Sequence, residues 1–289
     1  MKNVHLWIMR GRRALVVTLV FALTTTVGLV AIPGVASASS LASFNEGVFE
    51  PGQVKHTWWN NATADAYAPG LEATGVDDPD AYCHVTVLRT WYQRNPSGER
   101  EFHLEIEGDR NDRCQVTVWL ARLTMYRTST TSTLSPGQWS SSHWNNAHTD
   151  QNVYVVGVLP AVVSSGSCRI QVTTSFRTQP DGETEFSYRT TNIGVVACSA
   201  QLLHVKLPVN ESWSLNPLSP GDGWGLSTAA PPDGIRVQVA GAAPDRVATA
   251  PCDITPDQAV GYSGPASFFV DFTNTGTVEC GALATFAWL

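Results

Sequence analysis

The chain has 289 residues and a formal net charge of −7, and it combines 43% apolar residues with only 15% charged residues. This composition excludes a disordered chain, because apolar surface is available for burial and no long charged run occurs. A coiled coil is excluded as well, since its typical residues do not dominate and no heptad repeat persists.

Residues 1–38 have the features of an export signal. Four basic residues precede a mainly apolar stretch, 14–32, and the segment closes on the small-residue pattern Ala36-Ser37-Ala38. We predict a removed signal peptide and a secreted mature protein from about Ser39, with no membrane insertion after removal. An uncleaved membrane anchor is the alternative, because the apolar stretch is nearly long enough to span a bilayer.

Removal of the leader makes the chain more acidic. The leader has four basic residues and no acidic residue, so the net charge changes from −7 to −11. Such a surface repels phosphate backbones and anionic lipids, which argues against nucleic acid and membrane surfaces as partners.

The cysteines and several short motifs recur with a step of about 84 residues, which indicates three repeats. The first cysteines of the repeats are Cys83, Cys168 and Cys252, and the second are Cys114, Cys198 and Cys280. The recurring motifs are Leu134-Ser135-Pro136-Gly137 with its copy at 218–221, Trp59-Asn60-Asn61-Ala62 with its copy at 144–147, and Thr191-Asn192-Ile193-Gly194 with its copy at 273–276. Six cysteines allow 15 pairings. The simplest keeps each bridge inside its repeat, as Cys83–Cys114, Cys168–Cys198 and Cys252–Cys280.

We predict three small β-domains in series, at residues 39–129, 130–213 and 214–289. Apolar and polar residues alternate with period two, and helix signals are absent. In repeat two, the predicted inward face holds Cys168, Ile170, Val172, Thr174 and Phe176. In a flat meander the bridged strands would lie about 9.6 Å apart, too far for a disulfide. These strands are therefore expected in opposite sheets of a β-sandwich, or curled together at one sheet end.

One stretch of the repeat resembles a known module. A strand, a Thr-Asn-x-Gly turn and a second strand, with Leu-x-Pro-Gly opening another strand, resemble bacterial immunoglobulin-like modules of the cell-adhesion-related type. The residues are 268–276 and the motifs at Leu134 and Leu218. The paired cysteines are also similar to small disulfide-bonded domains of secreted actinobacterial proteins. Repeat one departs from the pattern, with Glu107-Gly108-Asp109-Arg110 at the turn. The resemblance implies three tandem immunoglobulin-like β-sandwiches in an extracellular setting, and it implies no reaction.

Tryptophan and asparagine form the candidate ligand site. Flat indole rings beside amide groups recognise sugars by stacking and hydrogen bonding. The candidate residues are Trp59, Asn60, Asn61, Trp144, Asn145, Asn146 and Trp119. The alternative for Trp59 and Trp144 is a place in the core, since cores recur with the repeat too. Trp119 is turned away from the face of Cys114, so it is expected on the surface or at an interface.

No pattern in the chain indicates catalysis or metal binding. His143, His148 and Asp150 are interpreted as a polar loop, and Asp77, Asp78 and Asp80 lack the spacing of a calcium loop. Ser164-Ser165-Gly166-Ser167 lacks a nucleophile elbow, and strand alternation explains Glu105 and Glu107. We expect no cofactor and no metal.

These observations favour a secreted, non-catalytic binding, adhesion or envelope-associated protein, with an extracellular glycan or protein as its partner. A secreted inhibitor of a hydrolase is the first alternative, suggested by small disulfide-closed domains and loops such as 128–133. A carbohydrate-active enzyme is the second alternative, favoured by aromatic richness alone.

Overall fold

A computed structural model describes the side chains of residues 40–60, 62–78, 83–228, 236–256 and 268–289, and the backbone alone of residues 4–10, 13–19 and 261–262. Every helix or strand assigned in these residues is a β-strand. The prediction of an all-β fold is therefore confirmed. The described part of the chain has no helix long and apolar enough to cross a membrane.

The strands follow the order of the three repeats. Two strands precede them, β1 (Val4–Arg10) and β2 (Arg13–Leu19). Repeat one contains β3 (Ser40–Phe49), β4 (Val54–Trp59), β5 (Ala66–Gly75), β6 (Val85–Arg94), β7 (Arg100–Glu107) and β8 (Cys114–Leu123). Repeat two contains β9 (Arg127–Thr130), β10 (Trp139–Asn145), β11 (Asn152–Pro160), β12 (Cys168–Thr178), β13 (Thr184–Asn192) and β14 (Ala200–Pro208). Repeat three contains β15 (Glu211–Leu218), β16 (Gly223–Thr228), β17 (Gln238–Pro244), β18 (Cys252–Pro256), β19 (Gly261–Tyr262), β20 (Phe268–Asn274) and β21 (Cys280–Trp288).

The first strands of repeats two and three cross the predicted boundaries. β9 begins at Arg127 and pairs with β14, so the boundary expected after residue 129 lies inside a strand of repeat two. β15 begins at Glu211 and pairs with β21, so the boundary expected after residue 213 lies inside a strand of repeat three. The polar composition of these segments is typical of linkers, but ladder hydrogen bonds place both of them in sheets.

All three repeats have the same strand order. When the short extra strand β19 of repeat three is left out of the count, the first, sixth and third strands form one sheet, as in β3-β8-β5, and the second, fifth and fourth pair in another, as in β4-β7-β6. Strands B-E-D and C-F of the immunoglobulin constant fold have the corresponding order. The first strand here lies beside the sixth, where that fold has strand G.

The three disulfides link the two sheets of each repeat, as the cysteine spacing predicted. They join Cys83 to Cys114, Cys168 to Cys198, and Cys252 to Cys280, with Cα–Cα distances of 5.9, 5.8 and 5.9 Å. Within repeat two, Cys168, Ile170, Val172 and Phe176 are buried on one face of β12. The predicted alternation is therefore present where the bridge enters the core.

The repeats are not separate beads, because their sheets join. The end of β6 pairs with the start of β12 at Tyr92 and Ile170, and the end of β12 pairs with the start of β18 at Phe176 and Ile254. The short strand β19 of repeat three pairs with the start of β6. Because β18 and β19 both pair with β20, the strands β6, β12, β18, β20 and β19 form a closed ring.

A shared core lies where the third strands β5, β11 and β17 approach one another. Gly70, Gly157 and Gly241 occupy equivalent positions on these strands, opposite Trp119, Leu203 and Thr285. A Cβ at Gly157 would lie 2.6 Å from the Cβ of Ala66, and one at Gly70 would lie 3.0 Å from Val237 Cγ2. Around them, a core cluster separate from the larger one takes buried residues from every repeat: Ala66, Ala68, Ala121, Leu123, Val153, Val205, Leu207, Val237, Ala287 and Leu289. The sequence led us to expect three β-domains arranged in series. Instead, the three repeats contact one another through this cluster, because small residues allow the third strands β5, β11 and β17 to approach closely.

The predicted leader falls largely outside the described residues. Its strands β1 and β2 pair as a hairpin, and β1 also pairs with the edge of β16. The cleavage pattern Ala36-Ser37-Ala38 is outside the described residues, so the signal peptide stays a prediction.

Candidate functional site

Repeat two differs from its neighbours at two core positions. Val118, Leu202 and Ala284 are equivalent residues of the sixth strands, and their partners on the first strands are Phe44, Ser129 and Trp213. Two residues further along the sixth strands stand Leu120, His204 and Phe286. Repeat two thus has a serine and a histidine where both other repeats have apolar side chains.

The serine opens a space between the two layers of repeat two. In repeat one, the ring of Phe44 lies 5.9 Å from that of Trp59 and fills the corresponding space. Trp144 is the counterpart of Trp59, since the two pair with Phe186 and Phe102 on equivalent strands. Beside Trp144 lies a cleft of about 300 Å³, between β9 and β10.

The walls of the cleft are rich in hydroxyl groups. They contain one tryptophan, two histidines and one arginine, but no aspartate or glutamate. The lining residues are Arg127, Ser129, Thr130, Thr131, Ser132, Ser140, Ser141, Ser142, His143, Trp144, Tyr188, Thr190, Leu202 and His204. The first strand of repeat two, β9, has four residues, whereas β3 has ten and β15 has eight. The sheet that contains β9 therefore covers less of the edge at which the cleft lies.

His204 is the most unusual residue of the cleft. It is 0% exposed, and its Nε2 lies 2.7 Å from the Oγ of Ser129. Its Nδ1 is buried and has no hydrogen-bond partner among the described residues. Burial, with a smaller contribution from the charge of Arg127, lowers the pKa of His204 to about 4, so the imidazole is neutral at pH 7. The cleft therefore contains a buried polar group that the protein leaves half satisfied.

Trp144 is partly a core residue and partly a wall of this cleft. Its half-buried indole packs against Phe186, with ring centroids 5.5 Å apart, and against the imidazole of His204 at 4.6 Å. The ring orientation is fixed from several sides, including Tyr154 and Tyr126. The two interpretations of this tryptophan, core and binding surface, thus apply to different faces of one ring.

The rest of the Trp-Asn-Asn-Ala motif closes a turn. Ala62 and Ala147 are buried, and their N–H groups donate to the carbonyls of Arg100 and Thr184 at 2.8 and 3.0 Å. Asn146 has a φ of 53°, a left-handed conformation that asparagine tolerates well.

The asparagines of the motif lie apart from the cleft. Asn60, Asn145 and Asn146 are exposed and do not line it, while Asn61 is outside the described residues. Trp144 is therefore the one residue of the predicted set that lines the cleft.

Trp119 lies between repeats one and three. Its Nε1 donates to Glu72 at 3.0 Å, and the guanidinium of Arg236 covers its ring at 5.4 Å. The indole is half-buried against the shared core. From the sequence, we expected Trp119 on the surface or at an interface. The side chain lies at the interface between repeats one and three, where its role is structural.

A group of rings covers the solvent-facing side of β4-β7-β6 in repeat one. Trp58, His103 and Trp91 lie side by side on these strands, and the rings of His103 and Trp91 stack 4.9 Å apart. His56 Nε2 lies 2.9 Å from His103 Nδ1, and Glu101 Oε2 lies 2.9 Å from His103 Nε2.

His103 is neutral at pH 7 within this chain of hydrogen bonds. Burial, with a smaller contribution from His56, lowers its pKa to about 4. When Glu101 accepts the proton of Nε2, Nδ1 of His103 is left to accept from His56. Cross-strand ring pairs stabilise a sheet, and we interpret this group as such a pairing.

The metal-ligand candidates from the sequence do not come together as a metal site. His143 is exposed and lines the cleft, whereas His148 and Asp150 are exposed and do not line it. Asp77 and Asp78 are exposed as well, while Asp80 is outside the described residues. Within the described ranges, no three His, Cys, Asp or Glu side chains converge as metal ligands. Glu105 pairs with Arg89 at 2.6 Å and Glu107 with Arg110 at 3.5 Å. Residues 164–167 form the connection before β12.

Ser129 and His204 did not emerge from the sequence analysis. A signal was present, since a histidine follows Cys198 at the spacing where leucine follows Cys114 and phenylalanine follows Cys280. Comparison of the chain with protein-family models, with curated proteins and with solved structures finds no match.

Proposed function

We propose that this is a secreted, non-catalytic binding protein of three immunoglobulin-like β-sandwich repeats, and that the cleft of repeat two binds a small saccharide. The strand order, close to B-E-D and C-F, supports the immunoglobulin-like description. Three disulfides support an extracellular location, because such bonds persist in oxidising compartments.

The replacement of apolar core residues by Ser129 and His204 is the observation that carries the binding proposal. A buried polar side chain is more informative than an exposed apolar one, since burial costs free energy unless partners are found. Local departures from good core packing are expected at functional sites. Repeats one and three show that the fold itself does not require a cleft here.

The chemistry of the walls fits a polyhydroxylated ring. The indole of Trp144 offers an apolar surface for the CH groups of a sugar ring. Serine and threonine hydroxyls both donate and accept hydrogen bonds, as sugar hydroxyls do. A volume of about 300 Å³ is at the small end for ligand sites, so a monosaccharide or the end of a chain fits best.

A histidine within hydrogen-bond distance of a serine hydroxyl, as His204 is of Ser129, is also the arrangement that activates the serine nucleophile of acyl-transfer enzymes. Here, however, the Nδ1 atom of His204 has no carboxylate partner among the described residues, and a pKa of about 4 makes the imidazole a weak base at pH 7. Both features favour binding without turnover. The inhibitor alternative relied on residues 128–133 as an exposed loop, and four of these, 129–132, line the cleft.

Filling the cleft tests the proposal. Ser129→Phe introduces the residue that repeat one has at this position, and it should abolish saccharide binding measured by glycan array and calorimetry. Thr128→Phe is the matched control, because Thr128 is an exposed neighbour on β9 that does not line the cleft. Saccharide binding that survives Ser129→Phe, or that Thr128→Phe removes equally, would refute the assignment of the site.

A further inference from the structure

The side chain of Arg127 has no partner in the part of the chain that the structure describes. It lies at the start of β9, it is exposed, and it lines the cleft. Its side chain makes no hydrogen bond, ion pair or ring contact with any residue that the structure describes. The other arginines whose side chains the structure describes have such contacts, as Arg177 has with Asp253 at 2.6 Å and Arg189 has with the ring of Trp139 at 4.5 Å.

That Arg127 has no side-chain partner among the described residues is informative because the chain is rich in acidic residues. The chain has 25 acidic residues against 18 basic ones, so carboxylate partners are plentiful. None of them lines the cleft. A guanidinium on an acid-free wall keeps its five donors available to a ligand.

The positive potential reaches the floor of the cleft. The charge of Arg127 contributes to the low pKa of His204, so its field extends to that buried imidazole. His204 itself is neutral at pH 7, and Arg127 is the one arginine or lysine among the lining residues. The buried Nδ1 of His204 is a second polar atom without a partner. An anion at the mouth of the cleft would give the guanidinium of Arg127 a partner.

We infer that the ligand of this cleft is an anionic saccharide, whose acidic group pairs with Arg127 while its ring lies against Trp144; this inference rests on the saccharide-binding function proposed above. The planar guanidinium matches a carboxylate through two parallel hydrogen bonds. A sugar acid of the uronic type combines such a carboxylate with the hydroxyls that the serine-rich walls accept. Its charge would be attracted to Arg127, and no carboxylate of the cleft walls competes for that guanidinium.

Glucuronic acid and glucose form a matched pair of probes, because they differ only in the carboxylate. Titration calorimetry of the mature protein should show about tenfold tighter binding of glucuronic acid, which corresponds to about 1.4 kcal/mol, because hydrogen bonds between charged groups are stronger than those between neutral groups. Arg127→Gln should remove this preference, so that the affinities for glucuronic acid and glucose become equal. Arg110→Gln removes the same charge from a well exposed site in repeat one and should change neither affinity.

A third probe, glucose 6-sulfate, separates a carboxylate site from a general anion site. Equal affinity for the sulfate and the uronic acid, or a preference for the uronic acid, both agree with the inference and define the acid it accepts. Equal affinity for glucose and glucuronic acid overturns the inference. If Ser129→Phe abolishes both in that case, the binding function stands without the charge preference. Failure of every probe to bind overturns the binding function and the inference together. Thermal melts of all variants confirm that the fold is retained.

Discussion

The side-chain amide of Asn192 donates a hydrogen bond of 2.8 Å to the backbone carbonyl of Leu134. The same amide donates to Val196, and its oxygen accepts from the N–H of Gly194. Asn192 is 0% exposed, so one buried side chain satisfies three backbone groups of two segments. This relationship explains why the Thr-Asn-x-Gly and Leu-x-Pro-Gly motifs recur together.

The same arrangement is present in repeat three. Asn274 Nδ2 donates to Leu218 at 2.7 Å and to Val278 at 2.8 Å, and Gly276 donates to its oxygen. In repeat one, where the sequence departs, the carboxylate of Asp109 accepts from the N–H groups of Asn111 and His84 instead. A carboxylate cannot donate, so it closes the turn by a different set of bonds.

Asn274→Ala should therefore destabilise the protein by about 2–4 kcal/mol, because two buried carbonyls lose their donor. Asn274→Asp should be destabilising too, since the carboxylate accepts but does not donate. Urea unfolding monitored by tryptophan fluorescence measures both effects. The exposed Asn145→Ala is the control and should stay within about 0.5 kcal/mol of the wild type. An unchanged midpoint for Asn274→Ala would contradict a structural role for this amide.

The local architecture could be predicted from the sequence because its signals are local or repeated. Alternation along β12 places Cys168 and Ile170 on one buried face, and the recurrence of the cysteines singles out one pairing among 15. The distance that a disulfide tolerates then favours bridged strands in opposite sheets. None of these steps requires knowledge of how one repeat contacts another.

The contacts between the three repeats could not be predicted in the same way. Gly157 in a strand indicates that another backbone comes close, but the sequence does not show that the neighbour is Ala66, which is 91 positions away. The cleft poses a similar difficulty. Ser129 and His204 are separated by 75 residues, and their contact depends on the register of β9 against β14.

Gly157→Ala tests the contacts between the repeats directly. The added Cβ would lie 2.5 Å from the Cα of Ala66, so the third strands of repeats one and two must move apart. Overpacking of this kind costs about 1–3 kcal/mol. Gly223→Ala is the control, because a Cβ there would be 3.6 Å from its nearest neighbours. Equal stability of the two variants in urea would contradict a tight contact between the repeats.

The two buried histidines should make the fold sensitive to acid. Folding lowers the pKa of both His103 and His204 to about 4, whereas the unfolded chain titrates near the ordinary value of 6.5. The unfolded state thus binds more protons between these values. The stabilisation is complete above pH 6.5 and is lost as the pH falls toward 4, by about 2–3 kcal/mol for each histidine.

Unfolding in urea at a series of pH values from 7.5 to 4.5 measures this loss. His103→Gln should make the dependence shallower in that window, because one group that titrates differently in the two states is removed. The exposed His148→Gln is the matched control and should leave the curve unchanged. Parallel curves for His103→Gln and the wild type would refute the assigned coupling between burial and protonation.

Ser129 and His204 should also reduce stability, if the cleft exists for binding. The double variant Ser129→Phe with His204→Leu gives repeat two the residues that repeat one has as Phe44 and Leu120. It fills the cleft and removes the buried Nδ1 that lacks a partner, and both changes favour the folded state. We expect a gain of about 1–3 kcal/mol, which for a chain of this length raises the melting temperature by roughly 2–10 °C. Calorimetry at pH 7.5 measures the shift, and loss of saccharide binding should accompany it. A double variant that melts below the wild type would mean that the pair supports the fold, and the core substitutions would then no longer argue for a binding site.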